Sequence, residues 1–552
     1  MNCDPLSRVL ICIAVIAALA GGSAPAVATE ANGIPLCTAA NDQLRPVTAP
    51  DGTGGIVVAW HDNRPAAAAG GVCYAQRVNA AGVPQWSASG VALSTTGDSG
   101  LPVIVSDGAG GAFVAYAGNT SQARAQWVNA AGVPQWGADG VQLSTTASSK
   151  RDLAIAPDIN GAGGAIVAWR EVDGTGGTSD VYAQKVSAAG TTQWSASGVP
   201  VAVSSMNNET LPALISDGAG GAIIVWRFAA GARVQRLNAS GVAQWGTTSL
   251  TGTTNNNAPA IVPDGAGGAV ISWAGGGIFA QRVSSAGVKE WNGNAGVALA
   301  TTGTMPTMIP DGSGGATVTW QDFRSGTNFN IYAQRVSSLG APQWIANGAE
   351  VCFVTDDQLS PTIVSDGGTG AIISWFDARS QASGDDIYVA RINSSGASQW
   401  TPDGMPLCTA ANDQEYPTVA SDGAGGAFVA WQDRRSGTNY DIYAHHVNPA
   451  GAVLAVRPES EASSMVRVWP APFSDRVRIV FVLPAATRVR MDVVDVGGRM
   501  VRALGTALLA AGANEFTWDG RTNDGRQAGD GVYFLRVNGQ GIAFSRSVVR
   551  LN

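Results

Sequence analysis

The chain has 552 residues, of which only 13% are charged, with 71 Gly, 17 Trp and a formal net charge of −8. That length calls for more than one domain, and the aromatic content with so little charge excludes a disordered polymer. The segment from Val456 onward holds 13 basic and 9 acidic residues, leaving 20 basic and 32 acidic before it, and an acidic body excludes nucleic acid as the expected partner.

At the N-terminus, Arg8 precedes an apolar run over residues 9–20, and Ala26-Val27-Ala28 is a small-x-small cleavage site. The pattern predicts a secretory signal peptide over residues 1–28, too short to span a bilayer, and no later segment is long and apolar enough to do so. Cys12 lacks the small residues of a lipoprotein signal before it. Export permits disulfides. Even so, Cys37, Cys73, Cys352 and Cys408 are too few and too scattered for a disulfide framework or a CxxC metal site, and are expected to be unpaired.

Residues 33–455 read as repeats. A DG-x-GG turn starts at Asp51, Asp107, Asp217, Asp264, Asp311 and Asp422, with variants at Asp158 and Asp366. Asp51 and Asp422 lie 371 residues apart over seven intervals, a period of about 53. One unit reads as a first strand at residues 101–107, its hairpin partner at 111–117, a third strand at 123–130 and a fourth, broken by Gly, within 133–145. Four-stranded units at this period predict β-propeller blades. Trp60, Trp169, Trp226, Trp273, Trp320, Trp375 and Trp431, with Tyr116 in the eighth unit, fill one register. Trp86, Trp136, Trp194, Trp245, Trp291, Trp344 and Trp400 fill a second. Core filling between twisted sheets explains every copy; sugar stacking is the sharper alternative.

The last unit lacks a fourth strand, and residues 33–43 (GIPLCTAANDQ) nearly duplicate the fourth strand at 404–414 (GMPLCTAANDQ). The N-terminal segment is therefore expected to complete the last blade, giving an all-β, eight-bladed propeller without a free edge. A linker at 456–465 then leads to residues 466–552, whose short strands suit a β-sandwich.

The 2–3 and 4–1 loops vary while the other turns are monotonous, which either marks the variable side as a binding face or reflects drift of surface loops. There a D-x-R pattern recurs as Asp62/Arg64, Asp322/Arg324, Asp377/Arg379 and Asp433/Arg435, in blades 6, 7, 8 and 1. Three of these blades also carry Asp42-Gln43, Asp357-Gln358 and Asp413-Gln414. The pattern is either an ion-pair brace copied by duplication or a polar arc that binds a sugar, peptide or cation. No cofactor is expected; calcium at the repeated DG-x-GG turns is the alternative, against which stands that calcium needs six or more oxygens and each turn offers one Asp.

The turns resemble the Asp-box turns of sialidases in outline only, because the Asp-to-Gly spacing differs. No GxSxG elbow, HExxH or Walker loop occurs. His445 and His446 fall where other units read Gln-Arg, so they look like substitutions in a structural slot. No catalytic or metal residue is assigned.

In the tail, PAPF (470–473), DVGGR (495–499), AGxNxFxWDG (511–520) and GVYFLRV (531–537) resemble the FlgD-type Ig-like domains and the C-terminal sorting domains of type IX secretion substrates. The resemblance implies export and release or attachment at the outer surface through the secretion machinery, and implies no catalytic residues. The sequence as a whole is read as an exported, non-catalytic binding or scaffold protein whose loop face contacts an extracellular glycan or protein. The alternative is a glycan-active hydrolase or lyase with acidic residues at the channel.

Overall fold

The computed structural model describes residues 32–64, 71–95, 100–117, 122–161, 163–172, 178–203, 208–228, 231–246, 248–250, 258–293, 295–380, 384–452, 466–469, 473–483, 487–495, 499–510, 512–539 and 542–551. The expected signal peptide and the linker at 456–465 lie outside them. The described residues hold no helix. The chain divides into compact units, one of Glu30–Val456 and one that contains Arg457–Asn552.

The first unit contains eight four-stranded antiparallel sheets, over residues 43–92, 103–142, 149–202, 209–250, 260–300, 304–352, 358–408 and 414–447, the last completed by Ile34–Cys37. In seven of them the strands lie in chain order. In the eighth, Ile34–Cys37 pairs with Asp441–Val447 through Ile34↔Ala444, Pro35↔Tyr443 and Cys37↔Ile442. The first sheet also meets the eighth: Gln43 N donates to Tyr440 O at 2.8 Å, and the Thr48 and Thr418 hydroxyls lie 2.9 Å apart.

Each second strand is clamped between neighbouring sheets, so its residues are apolar on both faces. Ala316–Asp322, Ala371–Asp377 and Ala427–Asp433 are buried at every position. First strands are only partly buried, as in Gln358–Ser365. The fourth strands are shorter than the sequence pattern implies. The Gln-Trp segment forms a turn with a single bridge, as at Val128↔Pro134, and the strand proper starts after the Gly break, at Val141–Gln142 in the second sheet.

The DG-x-GG turns are built on their Asp. Asp51 Oδ1 accepts Thr53 N at 2.7 Å and Gly55 N at 2.8 Å. Gly55 is obligatory, since a Cβ there would lie 2.2 Å from Val78 O. The other face of each turn carboxylate meets a donor from the third strand. The donors are Arg77, Trp127, Lys185, Arg236, Arg282, Arg335, Arg391 and His446, in sheet order. His446 thus stands in the arginine slot, 2.9 Å from Asp422 Oδ2 and stacked on Phe428.

The two Trp registers do different work. Those of the second strands fill the space between sheets; Trp60, Trp169, Trp226, Trp320, Trp375 and Trp431 are fully buried. Those of the Gln-Trp turns are latches. Trp86 Nε1 donates to Ala130 O of the next sheet at 3.0 Å and lies on Gly132, which has φ +78° and no room for a Cβ. The same bond links Trp136, Trp194, Trp245, Trp291, Trp344 and Trp400 to the sheet that follows each.

The second unit has seven strands in two sheets. Val466–Trp469, Val477–Leu483 and Gly512–Trp518 form one; Met500–Leu509, Thr487–Asp495, Gly531–Gly539 and Ile542–Arg550 form the other, in that order. Their inner faces enclose Trp518, set edge-on against Phe473 at 5.4 Å and Tyr533 at 5.2 Å. Arg550 is buried there, its guanidinium donating to Ala528 O at 2.6 Å.

Candidate functional site

The D-x-R pairs close on themselves. In each, the carboxylate is fully buried and accepts the indole N–H of the Trp two residues before it: Trp60 to Asp62, Trp320 to Asp322, Trp375 to Asp377 and Trp431 to Asp433, at 2.7–2.9 Å. Arg64, Arg324, Arg379 and Arg435 add salt bridges of 2.5–2.6 Å to the same carboxylates. Each guanidinium lies over a third-strand ring, Tyr74, Tyr332, Tyr388 or Tyr443, at 3.7–3.9 Å. Burial alone would raise the Asp62 and Asp322 carboxyls, but the Arg fork and the indole outweigh it and hold both below the usual range.

Three of the pairs reach the preceding sheet. Arg64, Arg379 and Arg435 meet the thiols of Cys37, Cys352 and Cys408 at 3.0–3.3 Å. These cysteines are buried and unpaired, as is Cys73. Burial pushes the Cys37 and Cys408 thiols up to about 12, so they remain protonated beside the arginines.

The Asp-Gln pairs are inter-sheet staples. Gln43, Gln358 and Gln414 are fully buried, and their backbone N–H groups donate to Tyr440 O, Phe329 O and Asp385 O of the preceding sheet. The carboxylates of Asp42 and Asp357 accept the backbone N–H of Tyr440 and Phe329, at 3.0 and 2.8 Å, and Asp413 faces that of Asp385 at 3.4 Å. All fourteen residues of the two patterns thus tie the 2–3 and 4–1 loops to the sheets beneath them.

A second feature lies on the same face. The heads of the first strands of all eight sheets line one cavity of about 840 Å³. Arg45, Leu101, Asp152, Leu211, Ala258, Met305, Ser360 and Tyr416 occupy one level of it, one from each sheet. Six of them, Arg45, Asp152, Leu211, Met305, Ser360 and Tyr416, have φ between +51° and +53°. L-residues avoid that region, and a following Pro normally pushes a residue toward extended backbone. Here five of the six precede a Pro, and a register shift falls at this point in each of the six sheets. Such strain, of order 1–3 kcal/mol per residue, marks positions whose side-chain direction is fixed by the fold.

The side chains so presented are mixed. Leu101 and Met305 are exposed. The Arg45 guanidinium lies 3.4 Å over the Tyr416 ring, and Asp152 pairs with Arg170 at 3.2 Å. Among the described lining residues, Asp152 is the single carboxylate. Sequence reasoning missed this level. Its signal is an X-Pro dipeptide in seven of the eight units, from Arg45-Pro46 to Tyr416-Pro417.

The second unit has the two facing antiparallel sheets expected of an Ig-like sandwich. Residues 475–541 match the FlgD Ig-like domain family. The matched stretch includes Asp495, whose Oδ1 accepts Arg499 N at 2.9 Å, and the Trp518 core. A comparison with curated proteins finds no match. Among solved structures, the chain shows likeness to the BP39L lectin of Burkholderia pseudomallei, at 11% identity over 75% of this chain and 98% of that one, with a TM-score of 0.42. It shows likeness to the Dos1 propeller, at 9% identity over 72% of this chain and 91% of that one, with a TM-score of 0.40. It also shows likeness to PorZ, a surface component of the type IX secretion system of Porphyromonas gingivalis, at 12% identity over 94% and 83%, with a TM-score of 0.22. Likenesses this remote bear on neither ligand nor chemistry.

Proposed function

We propose that the chain is an exported, non-catalytic binding scaffold: a closed eight-bladed propeller that takes an extracellular glycan or protein on its 2–3/4–1 loop face, followed by an FlgD Ig-like domain that serves secretion or surface attachment. The observation that carries the reading is the strained level at the channel mouth. Six non-glycine residues, Arg45, Asp152, Leu211, Met305, Ser360 and Tyr416, are held at positive φ around one cavity whose remaining lining is mostly Pro, Val and Leu. That is the make-up of a recognition surface, mostly apolar with a few placed polar groups. In this reading the Asp–Arg and Asp–Gln pairs fix the loops and do not touch the ligand.

The hydrolase or lyase alternative requires two converging carboxylates. Asp152, already paired with Arg170, is a weak start for that chemistry.

The test is binding of the full chain to a broad glycan and protein array, with and without calcium. A specific hit that is lost in Met305→Glu and in Tyr416→Ala supports the channel-mouth site. A hit insensitive to both, or turnover of the bound glycan, overturns it. Removing residues 466–552 should strand a folded propeller inside the cell envelope; unchanged delivery to the outside would refute the sorting role.

A further inference from the structure

Between the third and fourth sheets, on the same loop face, lies a separate groove of about 370 Å³. Its walls include Arg151, Arg170 and Arg227, with Ser179, Asn208 and Thr210. Among the described lining residues there is no carboxylate, in a chain whose first 455 residues carry 32 acidic against 20 basic side chains.

The register shows how unusual this placement is. Arg151 and Arg170 are direct cross-strand partners, and Thr210 and Arg227 are the corresponding pair of the fourth sheet. The same register position holds Leu44/His61, Leu359/Phe376 and Glu415/Gln432 in the first, seventh and eighth sheets. Like charges set directly opposite each other destabilise a sheet. A folded chain retains such a pair where something else offsets the repulsion. Glu171 is not that group: it is turned to Trp169, to Thr146 and toward Lys150. Asp152 offsets only part of the repulsion: it pairs with Arg170 Nε at 3.2 Å, one carboxylate against two guanidinium groups.

A second observation points the same way. At two other junctions the residue after the core Trp is a glutamine that accepts a backbone N–H of the next sheet. Gln321 Oε1 takes Ser360 N at 2.9 Å, and Gln432 Oε1 takes Arg45 N at 3.1 Å. The residues in that place in the third and fourth sheets are Arg170 and Arg227, which carry donors and no acceptor. These junctions have exchanged a structural acceptor for cationic donors, and Arg227 Nε donates to Thr210 Oγ1 at 2.8 Å within the groove.

We infer that the groove between the third and fourth sheets binds the oxyanion of an acidic saccharide, with Arg151, Arg170 and Arg227 holding a carboxylate or sulfate. Guanidinium forks match both groups in charge and in paired donors. Ser179 and Asn208, bonded to each other, and Thr210, bonded to Arg227, line the same groove, and the volume suits one or two sugar rings. The inference rests on the reading that this face takes a ligand, and it names the chemistry of that ligand.

The experiment is calorimetric titration of the full chain with a uronate oligosaccharide, a sulfated disaccharide and the neutral parent of each. An acidic sugar should bind at least about tenfold more tightly than its neutral parent and weaken as salt rises. The uronate and sulfate arms decide which oxyanion is preferred. Arg227→Gln and Arg170→Gln should each remove most of that advantage. Arg151→Gln, at an exposed position, should do the same with an unchanged melting temperature, which separates lost binding from lost fold. Met305→Glu, at the channel mouth, should leave the acidic preference intact. Equal affinity for acidic and neutral sugars, unchanged affinity in the arginine variants, or capture of an acidic peptide in place of saccharides would overturn the inference. Neutral glycans lost only in Met305→Glu would leave the channel-mouth reading standing while this one falls.

Discussion

The first, sixth, seventh and eighth sheets are braced differently from the four between them. In the braced set, a Trp indole, an Asp, an Arg and a Tyr ring form one closed stack at the end of each second strand. In the others the stack is broken. Tyr116 replaces the Trp in the second sheet, Glu171 replaces the Asp in the third, and in the fifth the Trp273 indole N–H meets no acceptor among the described residues. The braced set includes the first and eighth sheets, which meet where the two ends of the array come together. The unbraced sheets hold the arginine groove. The junction of the two ends and the arginine groove thus lie in different sectors of one repeated frame.

The sharpest way to break the comparison is to remove what the braced sector holds. Deleting residues 33–43 takes the outer strand from the eighth sheet and with it the thiol that Arg64 meets. The expected outcome is loss of cooperative unfolding in a melt followed by circular dichroism. A melt unchanged from the parent would sink the closure. Next in size is Asp377→Ala, which leaves Arg379 half-buried without its partner and the Trp375 indole without an acceptor. Breaking a buried pair from one side costs about 3–5 kcal/mol. Glu171→Ala in the third sheet should cost less, because Lys150 keeps its bonds to Thr146 and Ser148. Chemical denaturation of the two variants measures the gap.

Much of this frame was legible in the sequence, and the reason is repetition. A period of about 53, the Trp registers and the duplicated 33–43 segment each state one structural fact several times. Repetition also explains what was missed. The third-strand arginine that closes every DG-x-GG turn is spread among Arg, Lys, Trp and His, so chemistry of several kinds fills one slot. The D-x-R pairs were visible, but sequence spacing cannot say whether an Asp two residues from an Arg faces solvent or a Trp. Only the packing of Tyr74 and Cys37 around Arg64 decides it. The arginine groove was not legible at all, because Arg151 and Arg227 lie 76 positions apart in sequence and meet only through the stacking of two sheets.

A smaller effect sharpens the contrast at a single atom. Trp320→Phe removes the donor to a buried carboxylate, whereas Trp273→Phe removes an indole N–H with no acceptor among the described residues. Both lose similar apolar area, so the difference between them isolates the hydrogen bond. Trp320→Phe should cost about 2 kcal/mol more than Trp273→Phe. Equal losses would show that Arg324 and the Thr302 hydroxyl hold the Asp322 carboxylate without help from the indole.

The smallest effect tests how the braced sheets manage their own charge. The brace Asp of the eighth sheet lies directly opposite another carboxylate, Asp433↔Asp441, and the seventh sheet repeats this as Asp377↔Asp386. The sixth sheet puts Asn330 in that place and the first puts Val72. Burial, then the Asp433 charge, pushes the Asp441 carboxyl up to about 6, against an Asn439 bond that pulls it down. A carboxyl raised in the folded state binds its proton more tightly there than in the unfolded chain. Its contribution to stability is therefore full below about pH 4 and is lost as pH rises toward 6. Asp441→Asn keeps an oxygen for the Asn439 amide, as Asn330 does for Asn328 in the sixth sheet. It should stabilise the protein by about 1 kcal/mol at pH 7 and flatten the stability profile between pH 4 and 6. Denaturant midpoints across that range measure both. A variant less stable than the parent at pH 7 would mean that the charge at Asp441 serves the fold, and the sixth sheet's asparagine would then need another reason.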